Sequence, residues 1–531
     1  MQLHERSGED GRYMMTSTDT FASTWDRAVA QNGPRTFLIF RDDSGIATSW
    51  TYAEFDRLVA STAGALRTRG VSQGSAVHVM LRNSPAFVAA WLAVARLGAW
   101  MVPVDPASAA RDIATQVRRI QPTLGLIGRS RAETYRTAVG AKVSLIELEE
   151  DASDLDSDSP LLAGEPTRTA PGVRALDRIA VMFTSGTTSE PKGVVLTQAA
   201  YAQVARTMSR TIQLASGDRW FVTLPLFHAN AQYYCLAPAI EVGASVAMTA
   251  SFSASRWISQ ARELDVTHAS LFAAPIRMIL ARSQEEETPL SLKHVWFAQS
   301  LGKAHHAAFG RLVGVLPRQL YGMTETVAIV TADNREPPVH DLIGPAAASR
   351  QIRVIDPRTA QLAVPGQAGE LQVFGHRGWD LFAEYLDAPG INARVFLDDE
   401  DSGAGGSWFR TGDLVVIEPD GNSLRFAGRI DDVIKVAGEN VSLTEVEAVI
   451  AQAPGVLEAA VVAQVDPVRD QVPVAYVVLK DKANRPLVEE LDRFAVRSLA
   501  PAARPREWHF IDQLPRTSVG KIQRFRIRTD G

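Results

Sequence analysis

Cysteine is almost absent: Cys235 stands alone in 531 residues. An intramolecular disulfide is excluded, a thiolate-rich metal centre lacks the ligands to form, and a reducing cytoplasm is the expected setting. An excess of one charge is missing too, since 55 basic against 60 acidic residues leave a net charge of −5. Such a surface has no general attraction to nucleic acid or to an anionic membrane, although a locally positive pocket can still take an anionic substrate. Met1 to Met15 is polar and charged and lacks the apolar core of a signal peptide. The most membrane-like stretch, Phe87 to Val104, contains Arg96, Gly98 and Pro103. It reads as a buried helix turning into a strand, so the chain is expected to be soluble. There is no repeat, no low-complexity tract and no GxxxxGK[ST] string, which excludes the generic P-loop.

What is present is an ordinary globular balance, 46% hydrophobic and 22% charged, in a chain too long for one core. Tyr52 to Thr68 is an amphipathic helix pattern stopped by Gly70. Ala76 to Leu81 reads as a strand, Ser84 caps the next helix, and Trp100 to Val104 returns as a strand. Leu124 to Ile127 and Val143 to Leu148 are further short apolar runs. Strand and helix in alternation imply crossover connections and largely parallel sheets. Asp151 to Pro171, rich in Asp, Ser, Pro and Gly, reads as a solvated loop. Gln351 to Phe374, broken by Pro365-Gly366, reads as a small β-subdomain. The expected fold is α/β: a large N-terminal domain of parallel-rich sheets with helices and that subdomain (1–429), then a small mobile C-terminal α+β lid (430–531).

Thr184-Ser185-Gly186-Thr187-Thr188-Ser189-Glu190-Pro191-Lys192-Gly193 follows the apolar strand Ile179 to Phe183. Hydroxyls around a glycine can offer donors to phosphate oxygens without obstruction, and Lys192 adds a point charge; the same composition also makes plain surface loops. Tyr321-Gly322-Met323-Thr324-Glu325-Thr326 puts an aromatic ring and a carboxylate after a strand, although Thr324 or Thr326 could equally cap a helix. Asp413 in Trp408-Phe409-Arg410-Thr411-Gly412-Asp413-Leu414 can accept from two neighbouring hydroxyls, or serve as a turn residue. These strings, with Gly428-Arg429-Ile430-Asp431-Asp432-Val433-Ile434-Lys435 and Leu514-Pro515-Arg516-Thr517-Ser518-Val519-Gly520-Lys521, run in order over nearly the whole chain. Together they resemble the adenylate-forming superfamily of acyl-CoA synthetases, firefly luciferase and peptide-synthetase adenylation domains. Ser189 stands where that family usually has Gly, and Ser189, Phe227-His228 and Gly438-Glu439-Asn440-Val441-Ser442 bring the chain nearest to its carnitine-CoA-ligase-like members.

The resemblance implies an ATP-dependent, AMP-forming ligase. A carboxylic acid is made into an acyl-adenylate, pyrophosphate leaves, and the acyl group passes to an acceptor, by default CoA. By the family match Thr184, Ser185, Gly186, Thr187, Thr188 and Lys192 hold the phosphates, Tyr321 and Gly322 face adenine, and Thr324 touches the α-phosphate. Glu325 supports Mg²⁺, Asp413 and Arg429 hold the ribose, and Lys521 bridges carboxylate and α-phosphate. Asp431 is the implied hinge, with Lys435 presented to the second step beside a thiol channel of Gly438 and Glu439. A lysine near a chain end is otherwise a solvated charge, and Gly438 otherwise a tight turn. Leu224 to Ala231 resembles the start of the acyl pocket, where His228 replaces the Asp that holds an α-amino group and so disfavours amino acids. His228 is otherwise a core histidine. His228, Asn230, Gln232, Tyr233, Gln299, Ser300 and Lys303 are the expected pocket residues, polar enough to favour a small polar or aromatic acid.

The chain ends ten residues after Lys521 with no Gly-Gly-x-Ser carrier segment, so the acceptor is expected to be a separate molecule. Two alternatives stand beside CoA ligation. One is a relative in secondary metabolism that activates nitrite for diazotisation of an aromatic amine, and the other is a non-catalytic nucleotide-binding homologue. Oligomeric state is not legible.

Overall fold

The computed structural model describes residues 19–184, 191–283, 290–348, 350–398, 405–437, 439–481, 486–516 and 522–527. A seven-stranded sheet runs β17 (Glu384–Tyr385), β8 (Lys192–Thr197), β7 (Arg178–Thr184), β4 (Trp100–Pro103), β3 (Ala76–Met80), β5 (Leu124–Gly128), β6 (Ser144–Leu148). An eight-stranded sheet runs β14 (Thr331–Ala332), β13 (Arg318–Tyr321), β12 (His294–Ala298), β11 (His268–Phe272), β9 (Arg219–Val222), β10 (Ser245–Thr249), β1 (Thr36–Arg41), β2 (Ala47–Thr51). Pairing from β13 across to β1 is parallel and both edge pairings are antiparallel. The parallel-rich expectation holds, with a qualification: β7, β8 and β17 form an antiparallel ribbon on the seven-stranded sheet.

Local chemistry explains the main helices. In Pro85–Leu97, Ser84 accepts from the Phe87 amide, proline takes the first turn, and Gly98 ends the helix at φ 65°. Every residue of this helix is buried, so its all-round apolarity reflects a core position. Among the described residues no helix is long and apolar enough to cross a membrane. Helix Tyr52–Thr68 begins with a reciprocal capping box between Thr51 and Glu54.

The two large sheets are stitched by Asn83, just past β3. Its Nδ2 donates to the carbonyls of Leu224 (3.1 Å) and Thr249 (3.2 Å), and its Oδ1 accepts from the Leu226 amide at 2.7 Å. All three partners lie just past β9 or at the end of β10, so one buried amide aligns the carboxyl ends of strands from both sheets.

The stretch 151–171 is not the solvated loop its composition suggests. Leu155 and Leu161 are buried, and Asp154 accepts from the Glu149 and Glu150 amides. A Cβ on Gly64 would fall 2.0 Å from the Glu165 carbonyl oxygen, so this strap lies directly against helix Tyr52–Thr68. Its polar side chains turn back to satisfy the strap's own backbone, which lets it pack.

The expected β-subdomain is an antiparallel sheet of β15 (Gln351–Ile355), β16 (Ala368–Gly375), β19 (Ser407–Ile417) and β18 (Phe396–Asp398), with β20 (Leu424–Arg429) on β19. Beyond it the chain makes one turn, Ile430–Asp432, and enters a separate sheet. That sheet consists of β21 (Val433–Val436), β22 (Glu439–Ser442), β23 (Val456–Asp466), β24 (Asp470–Leu479) and β25 (Glu507–Phe510). It has its own apolar cluster around Ile450, Val461 and Val477. The large α/β body followed by a small α+β unit is the fold expected from the sequence.

Two consequences are measurable. Asn83→Ala orphans two carbonyls and an amide, and should cost about 2–4 kcal/mol, read as a lower urea midpoint. His78 is fully buried between the Tyr135 hydroxyl and Gln116, and burial lowers its pKa to about 4, with the Gln116 contact opposing. The unfolded chain therefore takes up this proton first. Stability should be full above pH 6.5 and fall as the pH drops towards 4; His78→Gln should flatten that limb in thermal midpoints.

Candidate active site

Residues from three sheets meet at one junction. The β7–β8 hairpin pairs Thr184 with Lys192, with Thr184 Oγ1 3.5 Å from the Lys192 carbonyl oxygen. These two residues flank the segment 185–190; Ser185, Gly186, Thr187, Thr188 and Ser189 lie outside the described residues. The Lys192 ammonium sits 5.3 Å from the centre of the Tyr385 ring on β17. The Tyr385 hydroxyl donates to Glu325 Oε1 at 2.8 Å, and Glu325 is buried. Glu325 sits on a one-turn helix, Thr324–Thr326, just beyond β13. At the end of β13 the Tyr321 hydroxyl donates to Asp413 Oδ2 at 2.6 Å, and Arg429 Nε lies 3.1 Å from Asp413 Oδ1.

Asp413 and Arg429 face each other because β19 and β20 pair in that register. Gly412, at φ 71°, takes a backbone conformation a side chain would resist, and so turns Asp413 inward. Burial, and then the Asp413 carboxylate, push the Tyr321 phenol far above its usual range, so it remains a donor. Gly322 has a steric reason: a Cβ there would meet the Tyr234 hydroxyl at 2.5 Å.

The Glu325 turn is held under strain. Val327 takes φ 61° and ψ −73°, a region that β-branched residues avoid. The guanidinium of Arg350, 2% exposed, compensates. It donates to the carbonyls of Ile329 (3.0 Å), Asp380 (2.8 Å), Ala328 (3.0 Å) and Thr326. Thr326 Oγ1 accepts from the Met323 amide at 3.1 Å, so of the two threonines it is the one that caps. The Phe382 amide donates to the Glu325 carbonyl oxygen, joining the turn to the segment that leads into Tyr385.

The expected acyl residues divide into three groups. His228 is half-buried with its ring edge-on to Phe272, centroids 6.1 Å apart at 88°. A small apolar cluster of Leu224, Phe227, Phe272 and Ala298 surrounds that contact. Asn230, Gln232 and Tyr233 are buried in a π-helical turn, Asn230–Leu236, a local distortion that often marks a functional site. Gln232 is fully enclosed, accepting from the Tyr201 hydroxyl (2.6 Å) and donating to the Leu226 carbonyl (2.6 Å). Both ends of its amide serve the fold rather than an open pocket. Gln299 sits at φ 76° just after β12, while Ser300 and Lys303 are exposed. The Ser300 carbonyl oxygen is 3.5 Å from an Arg277 nitrogen, and Arg277 lies 4.0 Å from Glu458 on β23. That end of the expected pocket therefore borders the C-terminal sheet.

Asp431 lies in the turn Ile430–Asp432, and Lys435 and Glu439 are exposed on the β21–β22 hairpin. Gly438 and Lys521 lie outside the described residues. The chain on either side of the Lys521 segment is anchored, Arg516 to Glu458 at 2.6 Å and Arg524 to Glu447 (2.6 Å) and Asp432 (3.1 Å). Arg350 and Tyr385 were missed by sequence reasoning. A lone arginine between loops and a tyrosine in a two-residue strand carry no pattern, and the aromatics Phe382 and Tyr385 stand too far apart to form a motif of their own.

Fold and site together define an adenylate-forming enzyme. Residues 25–386 match the family model of the AMP-binding enzyme, and residues 445–521 match that of the AMP-binding enzyme C-terminal domain. The chain belongs to the AMP-binding enzyme family. It is 28% identical over 518 residues to a crotonobetaine/carnitine–CoA ligase of Escherichia coli O139:H28, covering 95% of this chain and 98% of that one. Among solved structures it is similar to a benzoate CoA ligase from Burkholderia xenovorans LB400 (TM-score 0.83, 25% identity, 96% and 99% covered). An anthranilate CoA ligase in complex with anthranoyl-AMP shares the fold (TM-score 0.85, 22% identity, 96% and 97% covered).

Arg350→Met should leave buried carbonyls without donors and release the strained turn. The expected loss exceeds about 3 kcal/mol, read in denaturant midpoints, and added nucleotide should protect the variant less than wild type.

Proposed function

We propose that this AMP-forming acid–CoA ligase activates a small polar or aromatic carboxylic acid, using Mg²⁺ and ATP, in the cytoplasm. The observation that carries this reading is the contact chain Lys192–Tyr385–Glu325, set beside Tyr321–Asp413–Arg429. A cation and a carboxylate stand on one side for a triphosphate, and a carboxylate paired to arginine stands on the other for a ribose. The aromatic preference rests on His228, Phe272, Phe227 and Leu224, flat and apolar walls. It agrees with the benzoate and anthranilate named for the structural neighbours; the carnitine named for the sequence relatives keeps small polar acids in view. Those names are all CoA ligases, and no observation favours nitrite activation or a non-catalytic homologue.

The chemistry follows. A carboxylate resists nucleophiles and has a poor leaving group. Its oxygen attacks the α-phosphorus of ATP, pyrophosphate leaves, and the acyl group becomes a mixed anhydride with AMP as leaving group. Charge grows on the α-phosphoryl oxygens, so catalysis is positioning and electrostatics. Lys192 and the loop beyond Thr184 steady the departing pyrophosphate, Thr324 the α-phosphate, Asp413 and Arg429 the ribose, and Lys521 the forming bond. The donor set suits Mg²⁺: Glu325 is one buried hard-oxygen ligand, and the described residues hold no cluster of three His, Cys, Asp or Glu. When bound, the ion neutralises phosphate charge. Rotation about Asp431, at the boundary of 1–429 and 430–531, then exchanges Lys521 for Lys435, Gly438 and Glu439. The CoA sulfur attacks the acyl carbonyl and AMP departs.

The test is ATP–pyrophosphate exchange over a panel of benzoates, aminobenzoates and short polar acids, with thioester mass read after CoA is added. At least one small acid should support both. Lys521→Ala should lose at least about a hundredfold in exchange while still forming thioester from supplied acyl-AMP. Exchange at the wild-type rate in that variant would remove the reading.

A further inference from the structure

Tyr385 touches both charged groups assigned to the triphosphate side, and it is itself braced on several sides. It is 5% exposed on β17, which pairs with β8 through Tyr385 and Val194. Asn392 clamps its backbone in both directions: the Tyr385 amide donates to Asn392 Oδ1 (2.8 Å), and Asn392 Nδ2 donates to the Tyr385 carbonyl (3.0 Å). Phe382 packs edge-on against the ring at 4.7 Å. Arg119 donates to the carbonyls of Leu386 (2.9 Å) and Pro191 (3.0 Å), and its guanidinium lies 5.2 Å from the Phe183 ring. The residue after Tyr385 is thereby tied through Arg119 to Phe183 on β7 and to Pro191 just before β8. The ring in turn carries two contacts of different kinds, its face towards Lys192 and its hydroxyl to Glu325.

Glutamate and lysine are flexible side chains of opposite charge, and without a brace they would sample direct pairing and many rotamers. A rigid phenol between them prevents this. The hydroxyl is the donor and the carboxylate oxygen the acceptor, so the contact fixes the direction in which Glu325 is held.

We propose that Tyr385 is a positioning residue for adenylation: its hydroxyl orients the Glu325 carboxylate and its ring seats the Lys192 ammonium, so that both meet one triphosphate at a fixed separation. This rests on the nucleotide role given to Glu325 and Lys192 above. The two functions of Tyr385 are separable, because Tyr385→Phe removes only the hydroxyl and Tyr385→Leu removes the ring as well.

The experiment is a double-mutant cycle read in two ways. Tyr385→Phe should lower kcat for ATP–pyrophosphate exchange about 10- to 100-fold, the range for a hydrogen bond to a charged group. The KM for the acid should stay unchanged, and the Mg²⁺ concentration for half-maximal rate should rise. On a Glu325→Gln background the same change should cost less than about twofold, since the charge it orients is gone. Tyr385→Leu should weaken Mg²⁺·ATP binding by a further two- to fivefold or so, the loss of a cation–π contact. Calorimetry of Mg²⁺·ATP binding reads the same cycle without any acid. A wild-type protein that bound nucleotide but turned over no acid would therefore sink the ligase reading alone. Equal factors on both backgrounds, or wild-type behaviour of Tyr385→Phe, would overturn the role given to Tyr385. So would a loss fully matched by a fall in thermal midpoint.

Discussion

The guanidinium of Arg350 is withdrawn from water and surrounded by main-chain carbonyls of Thr326, Ala328, Ile329 and Asp380. A planar fork with five donors can serve four carbonyls at once, more than any other side chain can. The chain from 326 to 329 turns sharply, with Val327 in a left-handed conformation, and so exposes carbonyls that no regular element would satisfy. Arg350 supplies the missing donors and makes a strained turn the stable one. Glu325, one residue ahead of that turn's start, inherits its position. The Asp380 carbonyl belongs to the segment leading to Tyr385, so the same guanidinium also fixes the distance between the eight-stranded sheet and the β17 ribbon.

From that anchor the rest of the site follows by short covalent steps. Tyr385 passes the position of Glu325 to Lys192, at the start of β8. Tyr321, four residues before Glu325, passes it to Asp413 and Arg429. Arg429 is the last residue of β20 and the linker turn starts at the next one. The Ser442 hydroxyl donates to the Ala427 carbonyl at 2.7 Å, and a Cβ on Gly428 would fall 2.5 Å from that hydroxyl. The pairing of Arg429 with Asp413 and the seat of the C-terminal hairpin therefore share one strand end.

Much of this was legible beforehand because it depends on local chemistry. Ser84 and Gly98 bounded their helix as their side chains and backbone freedom require, and alternating apolar segments implied the parallel sheets. The motif residues Thr184, Lys192, Tyr321, Glu325, Asp413 and Arg429 were found by string and order, and the structure gathers them. Composition misled at 151–171, where Asp and Ser satisfy their own backbone and so permit burial. Gln232 was read as a pocket residue from its place beside His228. The fold occupies its amide with the Tyr201 hydroxyl, from a helix some thirty residues earlier, and with the Leu226 carbonyl of the adjoining loop.

The sequence by itself determined the class: the order of the motifs, the lone cysteine that excludes an intramolecular disulfide, and the split into a large body and a small C-terminal unit. These follow from residue type and spacing, which act within a few residues of chain. Only tertiary structure decided that Tyr385 stands between Glu325 and Lys192, that Arg350 holds the Glu325 turn, and that Asn83 joins two sheets. Each of those contacts closes a loop of tens to hundreds of residues. Its partners are chosen by which strand ends arrive together, and no local pattern encodes that meeting.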